Sequence, residues 1–88
     1  MKISSNYVLR KIAGDVLLVP VGGIDTDAKG MLLLNELSLF VYESIQMGQT
    51  QEEILSRILD EYDVDAAHAA ADLAEILSRF QELGVTDR

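Results

Sequence analysis

Eighty-eight residues, 49% of them hydrophobic and none of them cysteine, suffice for one small domain with a modest core and exclude disulfide staples, thiolate metal sites and iron–sulfur ligation. No apolar run approaches the roughly 20 residues of a membrane-spanning helix, and the first residues lack the continuous apolar region of a secretion signal, so a cytoplasmic protein with no membrane partner is expected. The formal charge of −8 is uneven, with four bases against three acids in residues 1–34 and three against ten in residues 50–88; the acidic half repels phosphate backbones and suits a basic partner.

Residues 7–12 (YVLRKI) and 16–21 (VLLVPV) are β-branched and aromatic-rich runs on either side of Ala13, Gly14 and Asp15, which predicts an antiparallel hairpin with a three-residue loop. Pro20 removes one ladder donor, so the second strand either ends there or turns that side away from a neighbour. Residues 22–30 are a polar loop leading to residues 31–34 (MLLL), an apolar run without polar alternation that predicts a short strand covered on both faces. A three-stranded meander is the simplest arrangement.

Asn35 is placed to cap a helix over residues 36–47, with Leu39, Phe40, Tyr42 and Ile45 on its apolar side and Gly48 as its left-handed stop. Thr50 and Glu53 form a capping box that opens a helix over residues 51–62, whose stripe is Ile54, Leu55, Ile58, Leu59 and Tyr62. Asp65 caps a third helix over residues 66–83, ended by Gly84, with Ala66, Ala69, Ala70, Leu73, Ile76, Leu77, Phe80 and Leu83 as its core stripe. Beside that stripe fall Ala67, Ala71 and Ala74 on one flank and Asp72 and Arg79 on the other. The alanines either admit a neighbouring backbone or simply favour the helix. The expected class is α+β: a three-stranded antiparallel sheet followed by three helices, in a winged helix-turn-helix-like outline, with residues 1–88 as a single domain.

Asp25, Asp27, Gly30 and Glu36 match the spacing of a calcium loop, but Lys29 stands where a ligand oxygen is needed and a strand rather than a helix precedes the loop. No metal and no other cofactor is expected. His68 is the only histidine and is expected to be exposed and silent. The serines lack a nucleophile motif, and the acidic pairs Glu52–Glu53 and Asp60–Glu61 are neighbours along helices that do not face each other across a cleft. Ser38-Leu39 is a faint echo of a carrier-protein attachment site, but Leu37 replaces the acid there and the strand-rich first third does not suit a helical bundle.

At Leu34-Asn35-Glu36, Phe40, Tyr42-Glu43, Gly48, Thr50, Glu52-Glu53-Ile54 and Tyr62-Asp63-Val64-Asp65 the chain resembles the PqqD family, whose members are also called RiPP recognition elements. The likeness extends from Tyr7 through Ile12-Ala13-Gly14-Asp15 and Leu18-Val19-Pro20 to Asp72-Leu73, Leu77 and Leu83-Gly84-Val85. Tyr42 stands where the family often has tryptophan, and Leu37-Ser38 where a small pair is usual. The resemblance implies a non-catalytic protein that binds the leader segment of a ribosomally made precursor peptide and presents it to a modifying enzyme, commonly a radical-SAM enzyme. The leader is expected to add as a strand at Met31, Leu32, Leu33 and Leu34, with side chains against the third helix at Ala67, Ala70, Ala71, Asp72, Leu73, Ala74, Ile76 and Arg79. An exposed strand edge offers N–H and C=O groups that bind an extended peptide whatever its sequence, and pockets for alternate side chains then select among peptides.

The rival is a small winged-helix DNA-binding regulator. It is disfavoured because Arg57 is the sole base of the second helix and Arg79 that of the third, whereas phosphate neutralisation takes several. No nucleic-acid partner is expected.

Overall fold

Ala13 and Gly14, at φ of 51° and 89°, turn β1 (Tyr7–Ile12) into β2 (Asp15–Pro20) through a two-residue loop in which both central residues are left-handed, the geometry that suits the twist of a hairpin. The three-residue loop expected from sequence is thereby corrected: Asp15 pairs with Ile12 and belongs to the strand. The computed structural model describes residues 1–21 and 31–86. Asp25, Asp27, Lys29 and Gly30 of the calcium-like pattern, and the loop over 22–30, lie outside the described residues.

The sheet continues with β3 (Leu32–Leu34), in the order β1-β2-β3, so the expected meander is the one observed. A two-residue loop closes on a pair that exchanges both main-chain bonds, and alternation then turns Leu17 and Val19 of the second strand, and Val21 just past its end, toward β1. Val21 obeys this, its N–H donating to the Asn6 carbonyl at 2.7 Å. Val16, Leu18 and Pro20 therefore face the β3 side, where Val16 pairs with Leu34 and Leu18 with Leu32. Pro20 lies beyond the last of these pairs, so its missing N–H removes none of their bonds.

The same alternation decides the side chains. Leu18 and Leu34 point into the core at 0% and 6% exposure, whereas Leu33 is 60% exposed on the outer face with half-buried Leu17, Val19 and Val8. The expectation that residues 31–34 are covered on both faces is overturned, because the helices supply the core on one face of the sheet and, among the described residues, no element covers the outer face. Met31 is exposed and precedes the strand.

Three helices follow: α1 (Glu36–Gln46), α2 (Gln51–Glu61) and α3 (Ala66–Leu83). Each begins at the expected cap. Asn35 Oδ1 accepts from the Ser38 N–H at 2.9 Å while Ser38 Oγ accepts from the Asn35 N–H at 3.1 Å, and Thr50 and Glu53 do the same for α2. Gly48 and Gly84, at φ of 82° and 79°, follow the ends of α1 and α3. Asn35→Ala is expected to cost about 1 kcal/mol through loss of the reciprocal cap, read as a lowered urea midpoint; an unchanged midpoint would mean that α1 does not depend on this start.

Val41, Tyr42 and Ile45 of α1, Ile54 and Ile58 of α2, and Ala69, Leu73, Leu77 and Phe80 of α3 close over Leu18 and Leu34 to make the core. The rings meet edge to face, Phe40 with Tyr62 at 5.6 Å and Tyr42 with Phe80 at 6.5 Å, the arrangement that aligns ring edges with ring faces. Three positions of the expected stripes are corrected: Ala66, Ala70 and Leu59 are exposed. Ala66 and Ala70 sit on the early turns of α3, where core contact narrows to Ala69 and Leu73, and Leu59 turns off the side of α2 that carries Ile54 and Ile58.

Two features answer to no local pattern. Ser44 is fully buried; its Oγ donates to the Phe40 carbonyl at 2.8 Å and accepts from Arg57 at 2.8 Å. That guanidinium also donates to Gln49 Oε1 at 3.0 Å and lies 4.6 Å from the Phe40 ring centroid, so it ties α1 to α2. The chain ends are joined as well: Ile3 bridges to Thr86, Ser4 N–H donates to the buried Val85 carbonyl at 2.7 Å, and the Tyr7 hydroxyl donates to the Leu83 carbonyl at 2.8 Å.

Candidate functional site

β3 is the last strand of the order, and its middle residue decides what the edge can do. Leu32 and Leu34 spend their main-chain groups on β2, so the Leu33 N–H and C=O point away from the sheet. An extended chain lying alongside would meet both groups and complete the ladder.

Beside that edge runs a groove of about 360 Å³. The three leucines of β3 form one wall, and Asn35, Leu37 and Ser38 close it where strand passes into α1. Across from them stands α3, contributing half-buried Ile76, buried Phe80 and three exposed charged residues, Asp72, Glu75 and Arg79. These five recur every three or four residues and so share one side of the helix. Between Asp72 and Arg79 the helix rises about 10 Å, the reach of roughly three residues of extended chain. The groove is apolar within and charged along its α3 rim. Tyr42 meets Phe80 of this groove edge to face; burial pushes its phenol above the usual range, and its hydroxyl accepts from Gln46 at 3.4 Å.

Of the residues expected at the site, Leu32, Leu33, Leu34, Asp72, Ile76 and Arg79 are brought together here. Leu73 is a core residue, 1% exposed, and with Ala70 it borders a separate depression against Thr50, Gln51, Glu52 and Leu55. Ala67, Ala71 and Ala74 are exposed and line neither hollow, as is true of Met31. Of the two flanks of α3, the one with Asp72 and Arg79 faces β3. Glu75, Phe80, Leu37, Ser38 and Asn35 were not anticipated; Glu75 lies three residues after Asp72 and four before Arg79, a spacing that marks it for the same flank.

His68 is exposed as expected, and it reinforces the α3 cap. Its backbone N–H donates to Asp65 Oδ1 at 2.8 Å, and its ring Nδ1 lies 3.0 Å from Asp65 Oδ2. The backbone bond first, and then the ring, hold the Asp65 carboxyl below the usual carboxylate range. A depressed folded-state pKa stabilises above the unfolded carboxylate range and is lost as pH falls through the folded value. The α3 cap is therefore expected to weaken on acidification, and Asp65→Asn, which keeps a capping oxygen, should flatten that part of a melting-temperature profile taken from neutral to acid pH. An unaltered acid limb would remove Asp65 from the acid response.

Among the described residues no cluster of three His, Cys, Asp or Glu side chains could hold a metal, and no helix is long and apolar enough to cross a membrane.

Over residues 7–85 the chain matches the model of the family described as PqqD, coenzyme PQQ synthesis protein D. Among solved structures it is similar to TbiB1 in complex with the TbiA(beta) leader peptide, with a TM-score of 0.79 and 25% identity over 97% of this chain and 93% of that one. It also shares its fold with a lasso peptide synthetase B1 complexed with the leader peptide, at a TM-score of 0.74 and 15% identity, covering 92% and 89% of the two chains. Comparison with curated proteins yields no match. With the family match spanning both the sheet and the three helices that build the groove, the chain belongs to the PqqD family.

Proposed function

We propose that this protein is a non-catalytic, single-domain binder of precursor peptides: it takes the leader segment of a ribosomally made precursor as a fourth strand on β3 and presents the precursor to a modifying enzyme, commonly a radical-SAM enzyme. The observation that carries the reading is the outward main chain of Leu33 beside a groove of matching length. A similar chain, TbiB1, is complexed with a leader peptide, which supports the same class of guest here. Main-chain pairing supplies affinity that any extended peptide can use, and the groove supplies selection. We assign contact to Leu32, Leu33, Leu34, Asp72, Glu75, Ile76 and Arg79, with Met31 where the guest strand extends past β3; Ala67, Ala71 and Ala74 lie on the far flank of α3.

Calorimetric titration with the leader and core halves of any short precursor-like peptide encoded beside this protein's gene tests the reading. The leader half should bind and the core half should not. Binding confined to the core half, or to neither, would defeat it.

The DNA-binding alternative loses its one basic group on α2, because Arg57 is turned inward onto Ser44, Gln49 and Phe40. At physiological salt the protein is expected to leave duplex DNA unretarded in a gel. A salt-sensitive, sequence-dependent shift would restore the regulator.

A further inference from the structure

The rim of the groove carries a charge pattern that the net charge conceals. A protein of charge −8 would be expected to favour any basic peptide. Along α3, however, the rim runs from Asp72 and Glu75 to Arg79 across Ile76, two acids at one end and a base at the other. Glu75 and Arg79 are spaced to pair with each other along the helix, yet among the described residues neither Asp72 nor Glu75 lies within ion-pair distance of Arg79, the one acid–base contact being that of the Asp65 carboxylate with the His68 ring. All three rim charges are exposed, so a guest would meet them without first breaking a bridge.

Resting on the reading of this groove as a docking site for an extended leader, we infer that its guest is bipolar: a strand carrying a Lys or Arg and an Asp or Glu four residues apart, in one fixed order, with an apolar side chain midway between them that enters between Leu34, Ile76 and Phe80. The spacing follows from the rise of about 10 Å between Asp72 and Arg79 against about 3.3 Å per residue of extended chain, which asks for about three residues, and from the alternation of strand side chains, which makes four the nearest spacing that keeps both charges and one side chain between them on the groove side. The fixed order follows from the strand: the sheet is antiparallel throughout, antiparallel pairing is the more stable, and a guest held in one direction on the edge presents its two charges in one sequence only. The apolar centre follows from the groove walls. An exposed ion pair contributes up to about fivefold in affinity, so two give up to about 30-fold between a peptide and its uncharged counterpart.

The test is a display library of random twelve-residue peptides panned against the full chain, in parallel with the triple variant Asp72→Lys, Glu75→Lys, Arg79→Glu, whose changes lie on exposed positions, and with Leu33→Pro. Circular dichroism confirms that each variant folds, and Arg79→Gln stands in should the triple variant not fold, with the expectation that only the preference for an acid is lost. The wild type should enrich peptides with both charges in one order, and the triple variant should enrich the opposite order. Enrichment of basic residues alone, or of both orders equally, overturns the bipolar guest and leaves strand docking standing, provided that Leu33→Pro loses the selected peptides. Peptides that bind folded Leu33→Pro as well as wild type overturn the docking site itself, and an absence of any enrichment overturns both.

Discussion

Leu33→Pro is expected to leave the domain folded and to abolish peptide docking, whereas Leu32→Pro should unfold it. The two residues are neighbours of the same type, so composition and hydropathy change identically; only the direction of one N–H differs. Leu32 pairs with Leu18 across the inner ladder, and proline there deletes a donor facing β2, leaving a buried carbonyl without its partner at a cost of about 1–3 kcal/mol, besides the packing lost from a side chain that touches the core. For a domain of this size, whose whole stability is of order 4–13 kcal/mol, in a strand of three residues, that is enough to release β3. Leu33 has its N–H on the open edge and its side chain 60% exposed, so proline removes neither an inner bond nor a buried group, and it leaves the preceding residue in the extended conformation it already has. What it removes is the donor offered to the guest. Far-ultraviolet dichroism with a thermal melt reads the fold, and titration with the leader peptide reads the docking. Two variants that both fold and both bind normally would place the docking site elsewhere.

The helices were legible because their boundaries are written in single residues. Asn35, Thr50 and Asp65 each satisfy an orphan donor that no tertiary contact is needed to explain, and Gly84 takes up a backbone conformation that other residues avoid. The short strand was legible as a strand but not in its burial, because three leucines in a row carry no alternation; which of them is inward is settled by the β2 register, and that depends in turn on whether the hairpin loop has two residues or three. Ala13 concealed the answer, being a residue seldom found in the left-handed region. Ser38 as partner in the Asn35 cap was missed because the usual partner three residues on is Glu or Gln. The joining of Ile3 and Ser4 to Val85 and Thr86 spans nearly the whole chain and leaves no local mark. For the candidate site, the family resemblance points to the β3 edge and the 66–79 stretch, and helical spacing puts Asp72 and Arg79 on one flank of α3 and the alanines on the other, but the choice between the two flanks depends on how α3 rolls about its axis. Phe80 and Leu77 fix that roll from inside the core, at 1% and 6% exposure. Tyr42, in place of the family's frequent tryptophan, is buried against Phe80, which makes the departure a matter of core packing.

Phe80→Ala is expected to be the most damaging single substitution in the helical half. Phe80 is 1% exposed and is the largest of the completely enclosed side chains, it meets the Tyr42 ring edge to face at 6.5 Å, and it also borders the groove. Removing a buried phenyl group costs about 3–5 kcal/mol through lost transfer and the cavity left behind, a large part of the stability available to so small a domain. At about 4–8 °C per kcal/mol for a domain of 60–100 residues, the melting midpoint should fall by roughly 12–40 °C. Ile76→Ala is the control that separates core from groove: Ile76 borders the same groove but is half-buried, so its truncation should lower the midpoint by much less while weakening leader binding by at least as much as it does at equal folded fraction in Phe80→Ala. Melts of both variants, followed by titrations at a temperature where each is folded, read the two effects apart. A Phe80→Ala midpoint within about 4 °C of wild type, against the 4–8 °C that a single kcal/mol should move it, would mean that α3 does not pack on the sheet through this ring, and the wall that α3 gives the groove would have to be redrawn with it.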